Sequence, residues 1–412
     1  MSNKRIVVTG IGASSPIGGT APESWDALLA GASGSRTLEY DWVEKYQLPV
    51  TFAAQAKVRP DTILERPIAK RLDPSSQFAL VAAMEAWEDA GAPDVEPERL
   101  GIDFATGIGG LWTLLDAWDT LREKGPRRVL PMTVPMLMPN AAAGNLSLHF
   151  GARAYARTVA SACASSTESL VNAVEHLRAG LADVVIAGGT ESVIHPITIS
   201  SFASMQALSR RNDTPATASR PGSLDRDGFV MCEGAGVLIL ETEEHAKARG
   251  AKIYAAIVGG GVTADSYHIT ANDPEGTGAA RAVTMALEAA GRSADEVTHI
   301  NAHATSTPVG DPNEYVALKS VFGDRIDDIP VSATKASTGH LLGGTGALEA
   351  IFTVLALRDR VAPPTINITE QDPAVPFRLS GTPAALSDGD QLAISNSFGF
   401  GGHNAVVAFE SV

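Results

Sequence analysis

The segment Thr158-Val-Ala-Ser-Ala-Cys163-Ala-Ser-Ser-Thr-Glu-Ser-Leu170 sets a cysteine among small residues, just ahead of a run whose apolar positions Leu170, Val174 and Leu177 share one helical face. That spacing predicts Cys163 at or just before a helix N-terminus. There the unsatisfied amides and the helix dipole favour a thiolate and lower the thiol pKa below its free value of about 8.5. Small neighbours leave a substrate room to reach the sulfur. The alternative for any intracellular cysteine is an inert, buried hydrophobe. Cys232 takes that reading, because it enters a strand with no basic partner nearby in sequence.

Two further segments carry histidine. His299 and His303 stand four apart, a metal-binding spacing on a helix. Val297–His303, however, reads as a strand running into a loop, and four residues along a strand span about 13 Å, too far for one ion. His303, beside Thr305, Ser306 and Thr307, suits a loop-borne base or hydrogen-bond donor. Downstream, Lys335 and His340 share a small-residue loop that opens a helix carrying Glu349. A lysine near a histidine holds the imidazole neutral by like-charge repulsion, and a buried Lys335–Glu349 ion pair is compatible with that. Finally, Asn396-Ser-Phe398-Gly-Phe400-Gly-Gly-His403-Asn404 sets two aromatics among three glycines, as either an aromatic hinge beside a site or a tight turn with core phenylalanines.

Short apolar runs alternate with helical patterns along the chain. Arg5–Thr9, Asp183–Ala187, Gly236–Glu241 and Leu392–Ser395 read as buried strands, and Ser76–Ala90, Glu168–Ala179, Gly278–Ala290 and Leu348–Leu357 as helices. The alternation predicts an α/β architecture with strands covered on both faces. Two nucleotide motifs fail: Gly10-Ile-Gly12 lacks the third glycine, Ser15 standing there, and Gly339–Gly346 lacks the Gly-Lys-Ser/Thr of a phosphate loop. No linker separates independent domains, and no internal repeat is visible.

The chain has 412 residues, room for two to four domains or one large duplicated unit. Hydrophobic residues at 44% and charged residues at 19% fit a large globular core. A net charge of −15 argues against nucleic acid as the main partner. Two cysteines cannot build a disulfide framework, so a reducing compartment is expected. The first residues are too short an apolar run for a signal peptide, and no run approaches the ~20 residues of a membrane span. The expectation is a cytoplasmic protein with no membrane partner.

Taken together, from Val7-Val-Thr-Gly-Ile-Gly12 to Gly401-Gly-His-Asn404, the segments resemble the β-ketoacyl-[acyl-carrier-protein] synthases, in particular the type II elongation enzymes in their actinobacterial form. The resemblance implies the thiolase fold, five layers α-β-α-β-α built from two similar halves, in a homodimer. An N-terminal half, residues 1–250, would carry the nucleophile, and a C-terminal half, residues 251–412, the two histidines and a phenylalanine gate. By the same resemblance Cys163 is the acyl-accepting nucleophile, and His303 and His340 assist decarboxylation and condensation. Lys335, partnered by Glu349, positions and tunes the second histidine. The amides of Cys163 and Phe400 form an oxyanion hole, Thr305 and Thr307 hold the pantetheine arm, and Ile108 lines the acyl tunnel. Phe400, with Phe398 near it, gates the pocket, and Asp265 and His268 sit in a loop beside that gate. The sequence departs from the family at Ala304 and Gly222-Ser223-Leu224, and Cys232 stands where glycine is common.

The implied reaction is an acyl transfer: a decarboxylative Claisen condensation of malonyl-carrier protein with an acyl chain on Cys163 during fatty-acid elongation, needing no cofactor or metal. The same chemistry in a type II polyketide or long-chain lipid pathway is the alternative. A thiolase would need a second catalytic cysteine near the C-terminus, and a non-catalytic chain-length subunit would lack Cys163. The partner would be an acidic acyl carrier protein. Among the basic clusters in this acidic chain, Arg66, Lys70 and Arg71, then Arg127 and Arg128, then Arg210 are candidates for docking it.

Overall fold

The structure is a computed structural model and describes residues 4–412. Among these residues ten strands form one sheet: β1 (Ile6–Ser14), β2 (Leu100–Ala105), β3 (Tyr155–Val159), β4 (Val184–Glu191), β5 (Gly234–Thr242), β6 (Ala255–Ala264), β7 (Val297–Asn301), β8 (Val331–Ser332), β9 (Leu392–Gly399) and β10 (His403–Glu410). Strands β1, β2, β4, β5 and β9 are buried along their whole length, which is why they read as continuous apolar or small-residue runs without alternation.

The spatial order is β8-β7-β9-β10-β6-β1-β5-β4-β2-β3. In one half β3, β2 and β4 run parallel, and β5 and then β1 pair antiparallel. In the other half β8, β7 and β9 run parallel, and β10 and then β6 pair antiparallel. Counted within each half, both orders are third-second-fourth-fifth-first. The duplication lies in the topology and is masked in the sequence, because the residues that fill the two halves differ. The halves meet through a short antiparallel pairing of Ile6–Val8 with β6.

Helices complete the layers. They are α1 (Pro74–Asp89), α2 (Leu111–Lys124), α3 (Ala141–Phe150), α4 (Ser165–Arg178), α5 (Thr277–Ala290), α6 (Gly310–Phe322) and α7 (Thr345–Asp359). On the outside, α1 and α3 cover the first half, and α5, with α6 beside it, covers the second. Between the halves lie α4 and α7, each touching strands of both. This is the five-layer α-β-α-β-α arrangement that the resemblance implies. Helix α7 is buried from Thr345 to Leu357, hence apolar on every face rather than striped. Both central helices begin three residues before the predicted starts, at Ser165 and Thr345, because their first turns are built from small residues that carry no apolar stripe.

Close approach of α5 to β6 rests on glycine. A Cβ at Gly259 or Gly261 would overlap the carbonyls of Ala286 and Ala282, respectively. Gly261→Ala is therefore expected to push α5 off the sheet and destabilise the protein by about 3 kcal/mol, read from the denaturant midpoint. An unchanged midpoint would contradict this packing.

Candidate active site

Strand β3 delivers the nucleophile through a strained elbow. Ala162 has φ +51°, a left-handed conformation uncommon for a residue with a side chain, and Cys163 follows in a single tight turn that continues into α4. Ser165 Oγ braces the elbow, accepting from the Ser161 amide (2.8 Å) and donating to the Ala162 carbonyl (2.6 Å). Gly399, at the end of β9, presses against it: a Cβ there would lie 2.9 Å from the Cys163 nitrogen. The loop Phe400–Gly402 is the tip of the β9–β10 hairpin, with Gly401 and Gly402 at positive φ. The segment is a tight turn, with one phenylalanine in the core and one outside it. Phe398 is buried in β9 against His303 (ring centroids 5.9 Å), while Phe400 is 37% exposed at the tip.

The Cys163 sulfur faces His340 Nε2 at 3.0 Å, and the backbone amides of Cys163 and Phe400 favour its charged form. His340 Nδ1 meets the Thr345 hydroxyl at 3.0 Å. The backbone of His340 is fixed by its own N–H donating to the Val230 carbonyl (2.7 Å) and by the Cys232 N–H donating to its carbonyl (3.0 Å). Cys232 is inert in its thiol, as expected, yet its backbone holds a functional residue. His303 stands edge-on to His340 at 5.5 Å, and its Nδ1 is buried without a partner. An unmade N–H costs more than an unused lone pair, so the proton of neutral His303 sits on Nε2.

Burial pushes both imidazoles well below their ordinary value, and Lys335 lowers each further, so both are neutral. Lys335 Nζ is paired with Glu349 Oε1 at 2.6 Å, and both residues are 1% exposed. The thiol departs from expectation. Burial outweighs the helix N-terminus and the two amides, and drives the Cys163 pKa up to about 11 despite the nearby Lys335. The resting pair is a thiol against an imidazole, not a free thiolate.

One cavity of about 760 Å³ gathers Cys163, His303, His340, Thr305, Thr307, Phe398, Phe400, Ile108 and Asp265. Lys335 and Glu349 lie behind its wall, and His268 is exposed outside it, touching Thr270. Arg66, Lys70, Arg71, Arg127, Arg128 and Arg210 are on the surface, none of them in the cavity wall, and none enters an ion pair among the described residues. His299, the other member of the four-apart pair, is buried against the Ser332 hydroxyl (3.0 Å), its pKa pressed down to about 4 by burial. Among the described residues no three metal-ligating side chains cluster.

Three buried carboxylates that hold the loops were not identified from sequence. Glu314 accepts from the amides of His303 (2.8 Å) and Ala304 (2.7 Å) and from Asn396 Nδ2 (3.1 Å). Asp311 accepts from the amides of Ser306 and Thr307 and from that of Gly222 (2.9 Å), so the atypical Gly222-Ser223 segment underpins the threonine loop. Glu191 accepts from Gly107, Ile108 and Gly343 amides, tying the Ile108 turn to the His340 loop. Asp311 and Glu314, four and seven residues past Thr307 in the first two turns of α6, are the only ones a sequence signal could have flagged.

Two family models match this chain: "Beta-ketoacyl synthase, N-terminal domain" over residues 3–246 and "Beta-ketoacyl synthase, C-terminal domain" over residues 254–369. A 3-oxoacyl-[acyl-carrier-protein] synthase 2 of Staphylococcus aureus (strain N315) is 44% identical over 412 residues, covering 99% of this chain and 98% of the relative. A β-ketoacyl synthase from Burkholderia phymatum STM815 superposes with TM-score 0.90 at 35% identity, covering 99% of this chain and all of that one. A type II polyketide ketosynthase, solved with its acyl-carrier protein and bound to a hexaketide, superposes with TM-score 0.91 at 32% identity over the whole of both chains. The fold is the thiolase fold of these ketosynthases.

Two outcomes follow from the site. Because only the thiolate is nucleophilic, alkylation of Cys163 by iodoacetamide should accelerate about tenfold per pH unit, with no plateau below about pH 10. A plateau near neutrality would mean a stabilised thiolate. Gly399→Ala should displace the elbow, lowering the alkylation rate at least about tenfold while leaving the overall fold, read by circular dichroism, intact.

Proposed function

The chain belongs to the β-ketoacyl synthase family, and on that premise we propose that it elongates fatty acyl chains by condensing malonyl-carrier protein, with loss of CO₂, onto an acyl group held on Cys163. The observation that carries the reading is the Cys163 Sγ–His340 Nε2 contact, with neutral His303 edge-on beside it, inside a cavity walled largely by apolar residues.

Each step can be assigned to groups in place. As the sulfur attacks the acyl thioester, its proton passes to His340 and then to the departing pantetheine thiol. The amides of Cys163 and Phe400 receive the developing oxyanion, a contribution worth about 10²–10³ in rate for one such donor. Thr345, whose hydroxyl can donate or accept at His340 Nδ1, allows the ring to switch tautomer and present Nε2–H once the sulfur is acylated. His303 and His340 then donate to the thioester oxygen of malonyl as CO₂ leaves and the bond electrons stay on the α-carbon. That carbon bonds the acyl carbon, the C–S bond breaks, and the sulfur takes up a proton. One malonyl carboxylate, one acyl thioester and one proton give CO₂, a 3-oxoacyl thioester and the free thiol, a balance that calls for no cofactor. Lys335 touches neither substrate. It is a positioning residue whose charge adds to burial in keeping both imidazoles neutral. Thr305 and Thr307 face the route of the pantetheine arm.

The carrier protein would dock by charge on the unpaired Arg66, Lys70, Arg71, Arg127, Arg128 and Arg210. The active form is a homodimer. Helix α2 buries none of its residues and exposes Leu114, Trp118 and Leu121, β3 is an unpaired sheet edge, and Ile108 in the cavity wall remains 39% exposed until a second copy covers it. No helix among the described residues is long and apolar enough to cross a membrane; the proposed compartment is the reducing cytoplasm, which suits a chain whose two cysteines are both free thiols.

Given acyl- and malonyl-carrier protein, the wild type should release CO₂ and 3-oxoacyl product, and Cys163→Ala should do neither condensation nor self-acylation. His303→Ala should still acylate Cys163, seen as added mass, while losing at least about 10²-fold in CO₂ release. Product formation by Cys163→Ala would overturn the reading. Turnover with poly-3-oxo chains but not saturated ones would transfer it to a polyketide pathway.

A further inference from the structure

The cavity wall carries a carboxamide that the reaction steps leave unused. Asn313 lines the cavity from the first turn of α6, half-buried, and its side-chain amide has no hydrogen-bond partner among the described residues. Its neighbours in the wall are already committed. Glu314 accepts from the His303 and Ala304 amides, and Asp273 accepts from the Glu275 and Thr277 amides at the start of α5. Of the other carboxamides in the wall, Asn404 donates to Asp265 (2.7 Å), Gln206 is exposed at the rim, and Asn272 stands on the loop Thr270–Gly276. Asn313 is the one of the four that a helix holds in place.

Helix α6 fixes where that amide stands. Gly310, Asn313 and Ala317 are spaced three and four apart and share one face. At the start of this face, a Cβ on Gly310 would lie 2.5 Å from Thr307 Oγ1 and 3.6 Å from Thr305 Oγ1. One turn past Asn313, the Ala317 Cβ would be met at 2.7 Å by a Cβ on Gly276. Asn313 therefore stands between the two threonine hydroxyls and the loop that leads into α5. The chain also gives the direction. From His303, beside His340 and the sulfur, it passes Thr305 and Thr307 and reaches the surface at the exposed Pro308 and Val309. Asn313 follows them, opposite a loop exposed at Thr270 and Ala271, so it marks the outer part of the route.

The thioester substrates proposed above, on which this inference rests, arrive on a pantetheine arm with two amides in series. Each amide gives up water as it passes the apolar wall of Phe202, Met205, Pro308 and Val309, and an amide left without a partner there is penalised. Thr305 and Thr307, with hydroxyls 3.1 Å apart, are placed for the amide nearer the sulfur. A carboxamide offers both a donor and an acceptor, which matches the two ends of a second amide. We propose that Asn313 binds the farther amide of the pantetheine arm and thereby sets a preference for acyl groups carried on a full-length arm. It is a binding residue, remote from the reacting atoms.

Two octanoyl thioesters separate the amides. One is formed on N-acetylcysteamine, which has only the near amide, and the other on N-(N-acetyl-β-alanyl)cysteamine, which has both amides and no pantoyl group. The readout is the second-order rate of Cys163 acylation in the full chain, followed as added mass. The wild type should prefer the two-amide thioester by about fivefold or more. Asn313→Ala, and Asn313→Leu, which keeps the volume and removes the polar atoms, should both reduce that preference to within about twofold of unity. A wild type that does not distinguish the two thioesters, or variants that keep its preference, would overturn the assignment and leave the proposed reaction standing. Loss of the preference in Asn313→Leu alone would mean obstruction rather than a hydrogen bond and would overturn it as well. A wild type acylated by neither thioester nor by acyl-carrier protein would overturn the proposed function, and this inference with it.

Discussion

A half-buried sulfur and a buried imidazole nitrogen, 3.0 Å apart in the cavity wall, set the terms for the rest of the molecule. Burial penalises charge on either atom, so the thiol pKa rises and the imidazole pKa falls until the pair is neutral at rest. That neutrality costs ready-made nucleophilicity, and proton hand-off to His340 on substrate approach compensates for it. It also serves the second half of the reaction. An imidazolium beside the sulfur would hold a thiolate as an ion pair, whereas two neutral rings can donate to an enolate and remain uncharged afterwards. Lys335, itself balanced by Glu349, supplies the repulsion that makes this state robust.

The duplicated topology explains how one chain brings these atoms together. Cys163 lies between β3 and α4, and His340 between β8 and α7, the corresponding connections of the two halves. The internal symmetry therefore points the starts of both central helices at one place. The remaining parts come from loops of the second half: His303 and the threonines from the β7–α6 connection, and Phe400 from the β9–β10 hairpin. The strained backbone at Ala162, Ser306 and Leu342 falls in the three loops that converge here, held by carboxylates and tight glycine contacts rather than by regular structure.

How much of this was legible in the sequence differs by kind of information. Local signals survived well: the small residues around Cys163, the strand-to-loop step at His303 and the Lys335–His340 loop each announced chemistry without reference to the rest of the chain. The eight predicted elements all exist, extended at their ends where Ser165 or Thr345 opens a helix. What failed depended on depth and on distance along the chain. The sign of the thiol shift required knowing that the sulfur is buried, and a helix N-terminus alone points the other way. Glu191 acts on a turn more than eighty residues before it and a loop some one hundred and fifty after it, contacts that no spacing rule anticipates. The duplication was invisible because topology, not residue identity, repeats.

Nitrogen-15 resonances of the histidine side chains, assigned by comparison of the wild type with His303→Gln and His340→Gln, test the central claim most directly. At about pH 6, where an unburied histidine is substantially protonated, both rings should be neutral, with the proton of His303 on Nε2. An imidazolium signature at either ring would contradict it.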